Sequence, residues 1–191
     1  MKRTESSENS IVNFFNAVEQ GNLKEVINYV ETQGIEIGVE SKYMPGTTAI
    51  DIAAAKGHLE VVIYLTERGA NKDSALARAA MNNQLEVGRF LIGAGAGVNN
   101  IVSDLPLFYA VLNGHKEMVN LLLDNDANVN AIGFRGNKPL AAAILNFNIA
   151  RSEYKQDYVS ITKKLIDNGV DIHGFEADIE AMGLSNYIPD L

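Results

Sequence analysis

Ala53-Ala54-Ala55-Lys56-Gly57-His58-Leu59-Glu60-Val61-Val62-Ile63-Tyr64-Leu65-Thr66-Glu67-Arg68-Gly69-Ala70-Asn71 is the stretch on which the reading of this chain turns. It opens on small residues, which let one helix pack closely against its neighbours. Gly57 then supplies the left-handed backbone that ends that helix. Val61, Val62 and Leu65 recur at helical spacing and form one apolar stripe on a second helix. Gly69 ends the second helix as Gly57 ends the first. A single pair of short helices cannot bury both apolar faces, so the unit needs neighbours of its own kind.

Such neighbours are present on both sides. Ala79-Ala80-Met81-Asn82-Asn83-Gln84-Leu85-Glu86-Val87 repeats the pattern, followed by Phe90-Leu91-Ile92 and Gly95-Ala96-Gly97-Val98-Asn99. Ala110-Val111-Leu112-Asn113-Gly114-His115-Lys116-Glu117-Met118-Val119 repeats it again, closing on Leu121-Leu122-Leu123 and Asp126-Ala127-Asn128-Val129-Asn130. Ala17 to Val26 is a degenerate first copy, and a last copy closes on Lys164-Leu165-Ile166-Asp167-Asn168-Gly169-Val170-Asp171-Ile172.

These residues resemble the ankyrin repeat, a unit of ~33 residues made of a turn and two helices. The resemblance covers roughly residues 10 to 174 and implies an all-α solenoid of about five stacked helix pairs with short turns. On this reading residues 1–9 are a flexible lead, 10–174 the repeat domain and 175–191 a C-terminal cap. The family opens its first helix with Thr-Pro-Leu-His. Here the matching tetrads are Thr48-Ala49-Ile50-Asp51, Ser74-Ala75-Leu76-Ala77, Leu105-Pro106-Leu107-Phe108 and Lys138-Pro139-Leu140-Ala141, none complete. Less rigid turns are therefore expected. The step from Gly57 to Asn83 is 26 residues, short of the norm by about seven, which predicts a truncated hairpin near Asn71-Lys72-Asp73. The step from Asp126 to Gly169 is 43, and the extra residues are placed near 148–157 as solvated helix extensions.

Composition narrows the function classes. The 191 residues are 47% hydrophobic with a net charge of -8 and a pI near 4.9. So acidic a surface repels phosphate backbones, and nucleic acid is not the expected partner. There is no cysteine, which removes disulfide scaffolds, thiolate zinc sites and thiol nucleophiles. The polar amino-terminal run lacks the apolar core of a signal peptide, and no stretch reaches the ~20 apolar residues of a membrane helix. A soluble, cytoplasmic monomer is expected, although delivery into another cell is compatible with the same sequence.

No motif carries chemistry. Gly93-Ala94-Gly95-Ala96-Gly97 follows a helix where a phosphate loop would follow a strand. Asp124 to Asn130 alternates oxygen side chains like a calcium loop, but Val129 and Arg135 fall where that loop needs Gly and a bidentate Glu. His58 and His115 share one repeat slot, where the resemblance implies a local structural bond, and His173 falls in a turn. No catalytic residue, metal or cofactor is expected, and the chain reads as a non-enzyme.

The resemblance implies instead that another protein binds on the concave face formed by turn tips and exposed first-helix residues. Those slots hold Tyr43, Met44, Thr47, Ala55 and Lys56 in the second copy, and Met81 and Asn82 in the third. They hold Ile101, Asp104, Leu112 and Asn113 in the fourth, and Phe134, Arg135, Asn137, Leu145 and Asn146 in the fifth. Glu19 and Gln20 match in the first. A row of large apolar side chains at solvent-facing slots is the composition of an interaction hot spot. The competing reading is that irregular turns fold some of them into the core. An adaptor, inhibitor or scaffold is the expected role, with an effector or regulatory subunit using the same surface as the alternative.

Overall fold

The computed structural model describes residues 2–99, 105–133 and 136–188, with side chains from residue 9 onward. Two compact units divide the chain, Met1–Ala96 and Gly97–Leu191. Ile101, Asp104, Phe134 and Arg135 lie outside the described residues.

The first unit holds three helix pairs: α1 (Lys2–Glu19) with α2 (Leu23–Glu31), α3 (Ala49–Lys56) with α4 (Leu59–Glu67), and α5 (Lys72–Met81) with α6 (Leu85–Gly93). A two-stranded antiparallel hairpin, β1 (Glu40–Ser41) and β2 (Met44–Thr48), leads into α3. The second unit holds α7 (Pro106–Leu112) with α8 (Lys116–Leu123), α9 (Pro139–Ile149) with α10 (Ser152–Asp167), and a final α11 (Glu176–Ala181). A 3-10 turn follows at Ser185–Tyr187.

Alanine explains the close stacking of first helices. Ala53, Ala54, Ala75, Ala79 and Ala80 are buried in the first unit, and Ala110 and Ala143 in the second. Each presents almost no side chain, so α3 packs directly on α5 and α7 on α9. The second helices fill the remaining volume with Val26, Val62, Leu65, Leu91, Met118, Leu122 and Leu165, all fully buried. A buried leucine of this kind contributes about 1.5–3 kcal/mol.

Hydrogen bonds that reach back one copy lock the stack. The slot after the first helix is left-handed in four of the pairs, at Gly21 (φ 68), Gly57 (φ 79), Asn83 (φ 54) and Gly114 (φ 72), whereas α9 ends on the extended Ala150. His58 Nε2 lies 2.9 Å from the Glu19 carbonyl. A carbonyl can only accept, so Nε2 carries the proton. In the next copy Gln84 occupies the histidine slot and its Nε2 donates to the Ala55 carbonyl at 3.4 Å. In the last pair the Tyr158 hydroxyl does the same work, donating to the Leu112 carbonyl at 3.3 Å. The imidazole is structural, as the resemblance implies, although its bond crosses to the preceding copy.

A second ladder ties the ends of the second helices. Asn99 Nδ2 donates to the Asp126 carbonyl at 2.8 Å while its Oδ1 accepts the Asn128 N–H at 2.7 Å. One copy later Asn130 Nδ2 donates to the Gly169 carbonyl at 3.3 Å and its Oδ1 accepts the Asp171 N–H at 2.9 Å. The alternating oxygens of 124–130 therefore serve the repeat. Asp124 accepts from Lys164 Nζ at 2.8 Å, and Asn128 Oδ1 accepts the Asn130 N–H at 3.0 Å.

Three sequence expectations change. Residues 1–9, read as a flexible lead, continue α1 back to Lys2. No glycine or proline interrupts residues 2–20. The hairpin near Asn71 to Asp73 is not truncated but absent: Asn71 caps α5 by accepting the Asp73 N–H at 3.0 Å, and Lys72 is already helical. The turn before α3 is also firmer than its incomplete tetrad suggests. Asp51 Oδ2 accepts both the Thr48 N–H at 2.8 Å and the Thr48 hydroxyl at 2.7 Å. A carboxylate closes this turn from the position where the family has histidine. The long step is absorbed by the helices themselves: α9 and α10 run 11 and 16 residues, against 7 and 8 for α7 and α8.

Candidate functional site

In the first unit, β2, α3 and α5 enclose a hollow of about 340 Å³. Met44 and Thr47 reach it from the hairpin, Ala55 and Lys56 from the last turn of α3, Met81 and Asn82 from the end of α5, and Glu19 from the end of α1. Sequence slots chosen on separate copies thus meet on one surface. Its polar rim is held by an ion pair between Lys56 Nζ and Glu19 Oε1 at 3.5 Å. Asn82 Nδ2 is turned back onto the Arg78 carbonyl at 2.9 Å.

Tyr43 stands at the hairpin tip and is 74% exposed, with Met44 at 47%. Ser41 Oγ accepts the Tyr43 N–H at 3.3 Å, and Glu40 Oε2 accepts the Gly46 N–H at 2.9 Å. These bonds hold the backbone of the tip that presents the two large side chains. Tyr43 and Met44 also border a smaller hollow of about 130 Å³ against Ile11, Val12 and Phe15 of α1. Gln20 is exposed at the end of the first helix and lines neither hollow.

In the second unit, Asn113 and Asn146 line one cleft of about 320 Å³. Leu145 is 60% exposed on α9. Leu112 is half-buried and Asn137 is exposed ahead of α9. Among the described residues the apolar slots divide between exposed and half-buried. Tyr43, Met44 and Leu145 are exposed, and Met81 and Leu112 are half-buried.

Several lining residues were not selected from the sequence. Asp51, Ile52 and Arg78 line the first-unit hollow, and Ile149, Tyr154, Asp157 and Tyr158 line the second-unit cleft. The missing signal was helical period. Arg78 precedes Met81 by three residues and Ile149 follows Leu145 by four, so each pair shares a helix face. Burial, and then the neighbouring Asp157 carboxylate, pushes the Tyr158 phenol above its ordinary range, so it stays protonated as a donor.

Among the described residues, no group of three or more His, Asp or Glu is arranged to hold a metal. No described helix is long and apolar enough to cross a membrane.

A family model for ankyrin repeats (three copies) matches residues 14–104 and 76–176. The chain is 36% identical over 104 residues to the ankyrin repeat and KH domain-containing protein mask of Drosophila melanogaster, covering 49% of this chain and 3% of that protein. It is 33% identical over 103 residues to the human ankyrin repeat and KH domain-containing protein 1, covering 48% and 4%. It is 27% identical over 111 residues to the putative ankyrin repeat protein L112 of Acanthamoeba polyphaga mimivirus, covering 49% and 24%. The chain therefore spans a quarter or less of the length of these relatives.

Proposed function

This chain belongs to the ankyrin-repeat family, and from that premise we infer that it binds another protein through the surface built by its turn tips and first-helix ends. Ankyrin repeats are general protein-interaction modules, and the family is in general non-catalytic. The observation that carries the reading is the first-unit hollow, where Met44, Thr47, Lys56, Met81 and Asn82 converge from separate elements around an apolar floor. Apolar and sulfur-bearing side chains ringed by an ion pair and amides have the composition of a partner-binding centre and rim. The role is that of an adaptor, inhibitor or scaffold acting as a monomer. The net charge of -8 favours a protein partner over nucleic acid.

The test is capture with the full chain as bait, identification of the bound protein, and its binding by variants. The double change Tyr43→Ala, Met44→Ala, and separately Leu145→Ala, should weaken that binding by at least about tenfold, near 1.4 kcal/mol. Melting temperatures should stay nearly unchanged, because these side chains are largely exposed. Undiminished binding by both variants would overturn this surface.

A further inference from the structure

The lengthened helix pair of the second unit extends the family's slots at Asn113, Leu145 and Asn146 with Ile149, Tyr154, Asp157 and Tyr158, which the family pattern does not assign. Leu145 and Ile149 lie one turn apart on α9 and are 60% and 72% exposed, and Tyr154 on α10 is 56% exposed. This ridge borders the 320 Å³ cleft between the α7–α8 turn and the tips of α9 and α10.

The cleft's amide and phenol groups each spend one donor on a backbone carbonyl. Asn113 Nδ2 donates to the Tyr109 carbonyl at 2.9 Å, and Asn146 Nδ2 donates to the Ala142 carbonyl at 2.9 Å. The Tyr158 hydroxyl donates to the Leu112 carbonyl at 3.3 Å. An amide whose nitrogen is anchored on its own helix turns its oxygen the other way. Each amide oxygen is thus left as an acceptor beside the second N–H of its own nitrogen, the Tyr158 oxygen can only accept, and the one ionised group lining the cleft is the Asp157 carboxylate. Lys116 Nζ approaches that carboxylate only to 3.7 Å, beyond hydrogen-bond reach. Lys155, the nearby cation on α10, sits over the Phe147 ring at 4.7 Å, and Arg151 lies outside the lining at the helix start.

Acceptor oxygens around a carboxylate, walled by Ile149, Ala150 and the Tyr154 ring, complement a donor-rich cation on an apolar stem. A guanidinium has five N–H donors in a plane, no acceptor, and stacks on aromatic rings. We propose that this cleft seats an arginine side chain on an apolar-flanked segment of the partner protein. The net charge of -8 draws such a basic segment in at long range. This rests on the reading that the chain binds a protein, and extends it from the first-helix ends onto the extension near 148–157.

The experiment is a titration of the 15N-labelled full chain with N-acetyl-arginine amide, and with N-acetyl-citrulline amide, its neutral near-isostere. The expected result is saturable shifts confined to the Gly114 amide, the Asn113 and Asn146 side-chain amides and the Tyr154 region. The citrulline probe should bind about tenfold more weakly. Asp157→Asn should lose that preference at an unchanged melting temperature, since the residue is part-exposed and its ion pair loose. Equal response to both probes, a preference that survives Asp157→Asn, shifts centred elsewhere, or no saturation by about 50 mM would each overturn the assignment. The two readings fail separately. If Tyr43→Ala, Met44→Ala loses the partner while the arginine probe does not titrate here, the cleft assignment falls and the binding surface stands. If the probe titrates here while no surface variant affects capture, the reverse holds.

Discussion

Gly21 is constrained twice. Its φ of +68 is left-handed, and a Cβ built on it would lie 2.6 Å from His58 Nδ1. Gly21→Ala should therefore cost more than about 2 kcal/mol, adding left-handed strain to a displaced imidazole. His58→Ala in the same chain should recover only the steric part. A double-mutant cycle by urea unfolding measures this, and strictly additive losses would contradict it. Thr162 makes the opposite case, because its side-chain oxygen is fully buried with no partner. Thr162→Val should raise stability by about 1 kcal/mol, since removing an unsatisfied hydroxyl relieves its desolvation cost. A lowered melting temperature would show that the hydroxyl is bonded. Single residues also mark the limit of what sequence discloses. Gly57 and Gly114 are legible because glycine is the residue for left-handed backbone. Asn83 after a first helix and Asp126 after a second, at φ 54 and 62, take the same left-handed backbone without glycine, and only their place in the repeat reveals it. Asp51 was read as a defect in its tetrad, because an acceptor that replaces a histidine keeps the bond and loses the match.

At the scale of elements, two exposed carboxylates, one in each unit, contribute to the response to acid. The Asp171 carboxyl is held below its ordinary value of 3.8, first by the His173 backbone N–H and then by Lys138. Glu31 is held below 4.5, first by its hydrogen bond from Arg68 and then by that residue's charge. Both folded values are depressed, so the stabilisation is present above the unfolded values and is lost as pH falls through the folded ones. Urea midpoints measured from pH 7 to pH 3 should fall at the acid end. Asp171→Asn, which keeps an acceptor without a titrating charge, should flatten part of that fall; an identical profile would exclude Asp171 as a contributor. Asn130→Ala removes two bonds to the last copy and should cost about 1–3 kcal/mol. Helix existence was readable from period and punctuation. The disappearance of the 71–73 hairpin was not. A count of missing residues fixes how many are lost, whereas the Asn71 cap decides that the chain can enter α5 at once.

For the molecule as a whole, stability in a repeat protein is local, each copy answering mainly to its neighbours. Hydrogen exchange should show it. Amides of 148–157, on the largely exposed tips of α9 and α10, should exchange faster than those of α4, whose Val61, Val62 and Leu65 are fully buried. Uniform protection across both would contradict a nearest-neighbour account. The family and the helical class were legible in the sequence because both are periodic, and a period survives the loss of individual matches. The proposed binding surface was drawn only from the slots that the repeat itself repeats. The acceptor-rich cleft was not, because the residues that complete it belong to an extension with no counterpart in the other copies.

The backward-reaching bonds also set a timetable for synthesis. The Glu19 carbonyl waits for His58, the Ala55 carbonyl for Gln84, and the Leu112 carbonyl for Tyr158. A ribosome delivers these donors 39, 29 and 46 residues after their acceptors. The three helix pairs that own these carbonyls are thus left open at the rear until their successors arrive. The longest delay falls at Leu112, ahead of the lengthened pair, and a translational pause there would leave the nascent chain with its last finished copy unsealed.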